Sequence, residues 1–152
     1  MREQILDAAL TLAESAHWES LSLHQVAAAL GISLADIYPH YRTKDELVDA
    51  WFDRADKAML GVALTAALPA AQRIEQAIQH WLGALAPYHK LTGQMLLYKL
   101  EPGHIHLQLA GILRLSRTVQ WLREAARLQA SGAARIGQEL ALSALFVTVF
   151  IY

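Results

Sequence analysis

The sequence predicts an all-α protein, built as a three-helix helix-turn-helix head followed by a larger helical body. Three observations predict it. Apolar residues recur at spacings of three and four along most of the chain, the period of a helix with one buried face. Alanine and leucine dominate a composition that is 55% hydrophobic, and 8 glycines and 4 prolines are too few to punctuate a many-stranded fold. Three helix-start signals crowd into residues 22–47, SLHQVAAALGISLADIYPHYRTKDEL. Ser22 precedes Gln25, Ser33 precedes Asp36 and Thr43 precedes Glu46. Each pair has the form of a capping box or close to it, with a hydroxyl that accepts an orphan backbone N–H and a polar residue three places on that reaches back.

The first helix is expected over Glu3 to Ala16, where Ile5, Leu6, Ala9, Leu12 and Ala13 make one apolar stripe. The second runs from about Leu23 to Leu30, with Val26, Ala27 and Leu30 inward, and stops at Gly31. The third runs from Leu34 to Tyr38, because Pro39 disfavours a helical Tyr38. The fourth starts after Thr43 and continues to about Thr65, burying Leu47, Ala50, Trp51, Ala55 and Met59. Pro69 fits the first turn of a fifth helix that reaches Ala86. Its stripe is Ile74, Ala77, Ile78, Trp81, Leu82 and Leu85, and Pro87 breaks it. A sixth helix takes Tyr88 to Leu100, and Glu101-Pro102-Gly103 reads as a turn. The seventh runs from His106 to Leu128 with Ile112, Leu115, Val119 and Leu122. Ser131-Gly132 separates it from a final helix over Ala134 to Tyr152. The expected division is a head over residues 1–47 and a body over 48–152.

Composition bounds the function. With no cysteine, disulfides and thiolate metal sites are excluded. Residues 2–16 mix charged and apolar side chains, so they lack the apolar core of a signal peptide. A cytoplasmic location is the expectation. The longest apolar run, Leu140 to Tyr152, falls short of the roughly 20 residues a membrane span needs, and no stable membrane insertion is expected. That run meets the last residue without a polar ending, so the chain is expected to continue beyond Tyr152. Charge is unevenly spread. Residues 1–57 carry five Lys/Arg against ten Asp/Glu, a balance of −5, and residues 58–152 carry eight against four, a balance of +4. A nucleic-acid-binding head would show the opposite asymmetry.

Helix-turn-helix units serve mainly to place a second helix in a DNA major groove. The stretch from Ile5-Leu6-Asp7-Ala8-Ala9 to Leu47 resembles the TetR/AcrR family of bacterial transcriptional regulators. The match is carried by Ser22, Val26-Ala27, Gly31-Ile32-Ser33, Tyr38, Tyr41, Lys44 and Leu47. The resemblance implies a ligand-responsive repressor: a homodimer whose heads bind a palindromic operator and whose body holds a small hydrophobic effector and the dimer contact. The effector would swing the linking helix and change the spacing of the two recognition helices. Carried over to matched positions, Ser22, Ser33, Tyr38, Tyr41 and Lys44 look like phosphate-positioning residues, while Tyr38 and above all Tyr41 also suit packing of the third helix against the first and fourth, and Lys44 a solvated lysine. Leu34, Ala35 and His40 would face base edges or sugars. No Arg, Asn or Gln lies between Ser33 and Tyr41, so bidentate base readout is not expected from that segment. Leu140, Leu145, Val147 and Phe150 of the last helix are expected to pair with a second copy.

Trp81, Met95, Tyr98 and Trp121 are the candidate lining of an effector cavity, although such a stripe also suits plain core. Arg114, Arg117, Arg123 and Arg127 read as a solvated basic face, with an interfacial or anionic-ligand role as the alternative. His104 and His106 near Glu101 make the densest histidine cluster, yet residues two apart on a helix diverge and no further ligands are evident, so neither metal nor cofactor is expected. No nucleophile–base pair, Gly-rich phosphate loop or paired carboxylates appears at useful spacing, so the reading is non-enzymatic. An alternative is a TetR-fold protein that binds lipid or isoprenoid rather than DNA, as the accessory proteins of coenzyme Q biosynthesis do. Ala84-Leu85-Ala86-Pro87-Tyr88 and Leu100-Glu101-Pro102-Gly103 are faintly similar to that group, and the acidic head favours it.

Overall fold

The computed structural model describes residues 1–64, 66–99 and 105–151, and the side chains among 105–107 and 150–151 lie outside that description. Among the described residues the chain forms helices and no strand: α1 Arg2–Ser15, α2 Leu23–Leu30, α3 Leu34–Ile37, α4 Lys44–Leu60, α5 Ala70–Leu85, α6 His89–Lys99, α7 Ile105–Ala125 and α8 Gly132–Ile151. Single 3-10 turns at Trp18–Ser20 and Ala86–Tyr88 complete the described elements. The turn expected at Glu101-Pro102-Gly103 and His104 lie outside the described residues.

The head forms where its caps dictate. Ser22 and Ser33 each close a reciprocal capping box with Gln25 and Asp36. Thr43 accepts from the Glu46 N–H, but the return arm differs from a box: Glu46 Oε2 accepts from the Arg42 N–H at 2.8 Å. Gly31 ends α2 at φ 65, ψ 30, in the left-handed region. There its Ile32 neighbour donates back to the Ala27 carbonyl and reverses the chain. A Cβ at Gly31 would meet nothing within 4 Å. The penalty of Gly31→Ala is therefore conformational, and urea unfolding is expected to show a loss of about 1–2 kcal/mol, with Gly31→Asn milder because asparagine tolerates this region.

Helix α4 runs through the middle. Leu47, Val48, Ala50, Trp51, Phe52, Ala55 and Met59 are all buried, more than one face can hold, because α1, α5 and α7 pack around it. It is one turn shorter than the expected end near Thr65. Gly61 has a weak helical preference, and the turn there lets Leu64 fold back into the core. Helix α7 also stops early, at Ala125 instead of Leu128. Arg127 takes the left-handed conformation (φ 53), and the Leu128 N–H bonds the Arg123 carbonyl, a Schellman closure. Arg73 secures the surrounding loops by donating to the carbonyls of Ala126, Ala66 and Leu68.

The expected solvated basic face on α7 holds at Arg117 and Arg127, which are exposed, and is corrected at the other two arginines. Arg114 and Arg123 are each only 5% exposed. Arg123 pairs with Glu139 of α8 at 3.0 Å, and Arg114 pairs with α4. Conversely Ile112, expected in the buried stripe, is exposed.

Candidate nucleic-acid interface and cavity

The capping of α3 shapes one end of the molecule. Asp36 accepts from both the N–H and the hydroxyl of Ser33, at 2.9 and 2.7 Å, and these bonds hold its carboxyl below the ordinary value. The negative charge that would oppose a phosphate is thus engaged in the cap. With only four residues, α3 has one buried side chain, Ile37. The rest of it faces solvent: Leu34 is 47% and Tyr38 62% exposed, with Ser33 and Ala35 also exposed. Leu34 and Tyr38, four residues apart, share one exposed face.

The other candidates separate. Ser22 is exposed at the start of α2. His40 is half-buried, and its carbonyl accepts from Arg2 Nη1 at 2.7 Å. Tyr41 is 1% exposed and buried in the head. Its hydroxyl donates to the Arg2 carbonyl, the Arg2 guanidinium lies 4.5 Å from its ring centre, and burial pushes its phenol up. Tyr41 is therefore a core residue in this conformation, away from the surface where a phosphate would lie. Lys44 is half-buried. Its ammonium donates to the Glu19 carbonyl at 3.0 Å, lies 5.1 Å from the Trp18 ring centre and 5.6 Å from that of Tyr98, and is pushed down by burial. This lysine ties the head to α6, a role the spacing alone did not reveal. Arg42, exposed beside it, was not singled out by the sequence pattern.

The acidic excess of residues 1–57 has in part a structural destination. Asp45, Asp49, Asp53 and Asp56 recur at spacings of four, four and three, so they line one stripe of α4. All four meet cations of the body. Lys99 lies 2.6 Å from Asp45 and 3.1 Å from Asp49. Arg114 lies 2.9 Å from Asp56 and 3.2 Å from Asp53, and Arg117 stands 3.8 Å from Asp53. Asp56 also accepts from Trp81 Nε1 at 2.8 Å and from the Thr118 hydroxyl at 3.0 Å. The opposite charge balances of the two segments thus meet along one seam, buried at Lys99, Arg114 and Asp56 and open to solvent at Asp53 and Arg117. The i, i+4 run of aspartates was the signal for it.

Beside that seam lies a cavity of about 240 Å³. Phe52, Trp81 and Phe146 form its aromatic wall, with Phe52 and Trp81 stacked at 6.0 Å and Trp81 edge-on to Phe146 at 4.8 Å. Leu96, Ile112 and Leu115 add aliphatic surface, and Lys99, Arg114 and Thr118 supply the polar groups. Of the four side chains expected to line a cavity, only Trp81 does so. Met95 is fully buried in the core, Tyr98 is half-buried under Lys44, and Trp121 is 46% exposed on α7. An aromatic stripe fixes which helix is amphipathic, but which turn borders a void depends on the neighbouring helices. Among the described residues no group of three or more His, Asp or Glu could hold a metal ion, and no helix is long and apolar enough to cross a membrane.

Comparison with known proteins agrees with this architecture. The family profile for bacterial regulatory proteins of the tetR family matches residues 5–51. No curated protein matches the chain. Among solved structures, a TetR transcriptional regulator from Nitrosomonas europaea is 44% identical, with a TM-score of 0.84, over 99% of this chain and 83% of that one. A TetR transcriptional regulator from Rhodococcus sp. RHA1 shares the fold at 20% identity and a TM-score of 0.67, over 98% of this chain and 79% of that one. With the capped helix-turn-helix, the central α4 and the surrounding helical body in the same arrangement as these regulators, the chain belongs to the TetR family of bacterial regulatory proteins.

Proposed function

We propose that the protein is a DNA-binding transcriptional repressor that acts in the cytoplasm as a homodimer on a palindromic operator and releases it when a small effector enters the α4–α7 cavity. The observation that carries this reading is the exposed surface of α3, where Ser33, Leu34, Ala35 and Tyr38 stand clear of the core on a helix locked by its own capping box. Ser22 and Arg42 would hold flanking phosphates. Leu140, Leu145 and Val147 of α8 are exposed and apolar, which suits them to the dimer contact; the Phe150 side chain lies outside the described residues. The two-copy arrangement matters because half-sites one helical turn apart are read together only if both recognition helices keep their spacing.

The lipid-binding alternative drew its support from the acidic head. Four of the ten acidic residues of 1–57 neutralise cations of the body, Asp45 within the head and Asp49, Asp53 and Asp56 beyond it, which answers part of that charge. Fluorescence anisotropy with DNA from upstream of the protein's own gene, against unrelated DNA at two salt concentrations, tests the proposal. Binding should favour the upstream DNA by roughly 10³-fold or more and weaken steeply with salt. Tyr38→Ala should weaken it about tenfold, as loss of one hydrogen bond to a charged phosphate would, while leaving the melting temperature unchanged. No sequence preference at low salt, together with lipid in the purified protein by mass spectrometry, would replace the repressor with the lipid carrier.

A further inference from the structure

The cavity is apolar on most of its surface, yet two cations border it. Lys99 is 2% exposed and Arg114 5%. Long cationic side chains rarely lie so deep unless their charge is answered, and among the described residues both are answered by the aspartates of α4. The answer to Arg114 is incomplete. Its Nε–H is shielded from solvent and has no acceptor among the described residues, and its Nη2 meets Asp53 as a charge pair without a well-formed hydrogen bond. A buried guanidinium with an unused N–H beside an aromatic void is chemically matched to an acceptor carrying negative charge on an apolar body.

We infer that the cavity takes a small amphipathic carboxylate, whose acyl or aryl body lies against Phe52, Trp81, Ile112 and Phe146 and whose carboxylate pairs with Arg114 and Lys99. This rests on the reading of the cavity as the effector site and names the effector's class. At about 240 Å³ the cavity is below the usual range for drug-sized ligands, which suits a short fatty or aromatic acid rather than a whole lipid. The same geometry makes the ligand a competitor. Lys99 and Arg114 hold α4 to α6 and α7 through Asp45, Asp49, Asp53 and Asp56, and α4 begins at the residue after the Thr43 cap that ends the head. A carboxylate arriving at those cations takes over part of their charge compensation and loosens the α4 seam. A neutral ligand of the same shape fills the void but leaves the ion pairs intact, so it lacks the differential affinity that would shift α4.

Isothermal titration of the whole protein with hexanoate, octanoate, decanoate and cinnamate, each beside its neutral amide, tests the inference. At least one acid should bind about tenfold or more tightly than its amide, the scale of a charge-assisted hydrogen bond. Lys99→Met should weaken that acid about tenfold, and it should fold because the orphaned Asp45 and Asp49 are 21% and 34% exposed. Asp49→Asn should act in the opposite direction and tighten the acid several-fold, since it removes a competitor for Lys99; a merely structural lysine would not respond so. Amides that bind as tightly as acids, or no binding by any acid of the set, would overturn the inference. Failure of the repressor reading would appear elsewhere, as absence of sequence-specific DNA binding by the protein without any acid.

Discussion

Replacing Asp56 with alanine is expected to destabilise the protein by about 3–5 kcal/mol, the scale for breaking a buried ion pair from one side. Asp56 is 5% exposed and is the shared acceptor for Trp81 of α5 and for Arg114 and Thr118 of α7. Its removal takes a buried acceptor from the Trp81 indole N–H, the Thr118 hydroxyl and the Arg114 guanidinium, which keeps its charge pair with Asp53. Asp56→Asn should recover little, because three donors would then face an amide that offers one acceptor oxygen and two further donors. The informative control is the double replacement Asp56→Leu with Arg114→Met. Buried ion pairs are often replaceable by apolar residues at little net cost, so the double variant should be markedly more stable than Asp56→Ala. Urea unfolding at neutral pH reads all of these. A loss below about 1 kcal/mol for Asp56→Ala would mean that water reaches the site and that the seam is not the buried network described.

Trp18→Ala carries the second large effect, again about 3–5 kcal/mol for truncating a buried tryptophan, but its consequence is localised. Trp18 is fully buried in the short turn between α1 and α2, and its backbone N–H donates to Gln94 Oε1 of α6 at 2.8 Å. The Lys44 ammonium lies over its ring and donates to the neighbouring Glu19 carbonyl. Trp18 thus joins the head to the start of α4 through its ring and to α6 through its backbone N–H, and the alanine variant loses the ring and its packing. Without it, amide hydrogen exchange should show α1, α2 and α3 losing protection well before α5 and α7, because the head is too small to hold a core of its own. DNA affinity should fall even though no DNA-facing residue has changed. Trp18→Phe, which keeps most of the packing, should retain both. Equal loss of protection across all helices would show instead that the head and body unfold as one unit.

The local features of the fold were legible in the residues. Ser22, Ser33 and Thr43 mark helix starts because a hydroxyl there satisfies an orphan N–H within three residues, an interaction independent of the rest of the molecule. Gly31 marks the turn for a similar reason, since the left-handed conformation is a property of one residue. Helix ends were less legible. The expected reach of α4 to Thr65 and of α7 to Leu128 failed because burial of Leu64 and the strained Arg127 are decided by distant partners, and helical periodicity cannot register them.

The site divides along the same line. Exposure of Leu34 and Tyr38 followed from a helix too short to bury them, whereas the positions of Tyr41 and Lys44 turned on Arg2, Trp18 and Tyr98, which approach from other segments. What the sequence determined by itself is the all-α class, the helix-turn-helix and its caps, because these arise from contacts within one turn of chain. Only the tertiary structure decided which cations are buried, where the cavity lies and what the aspartates of α4 are for. Charge compensation acts through space, and Asp56 meets Arg114 across 58 positions of sequence only when α4 and α7 are packed together.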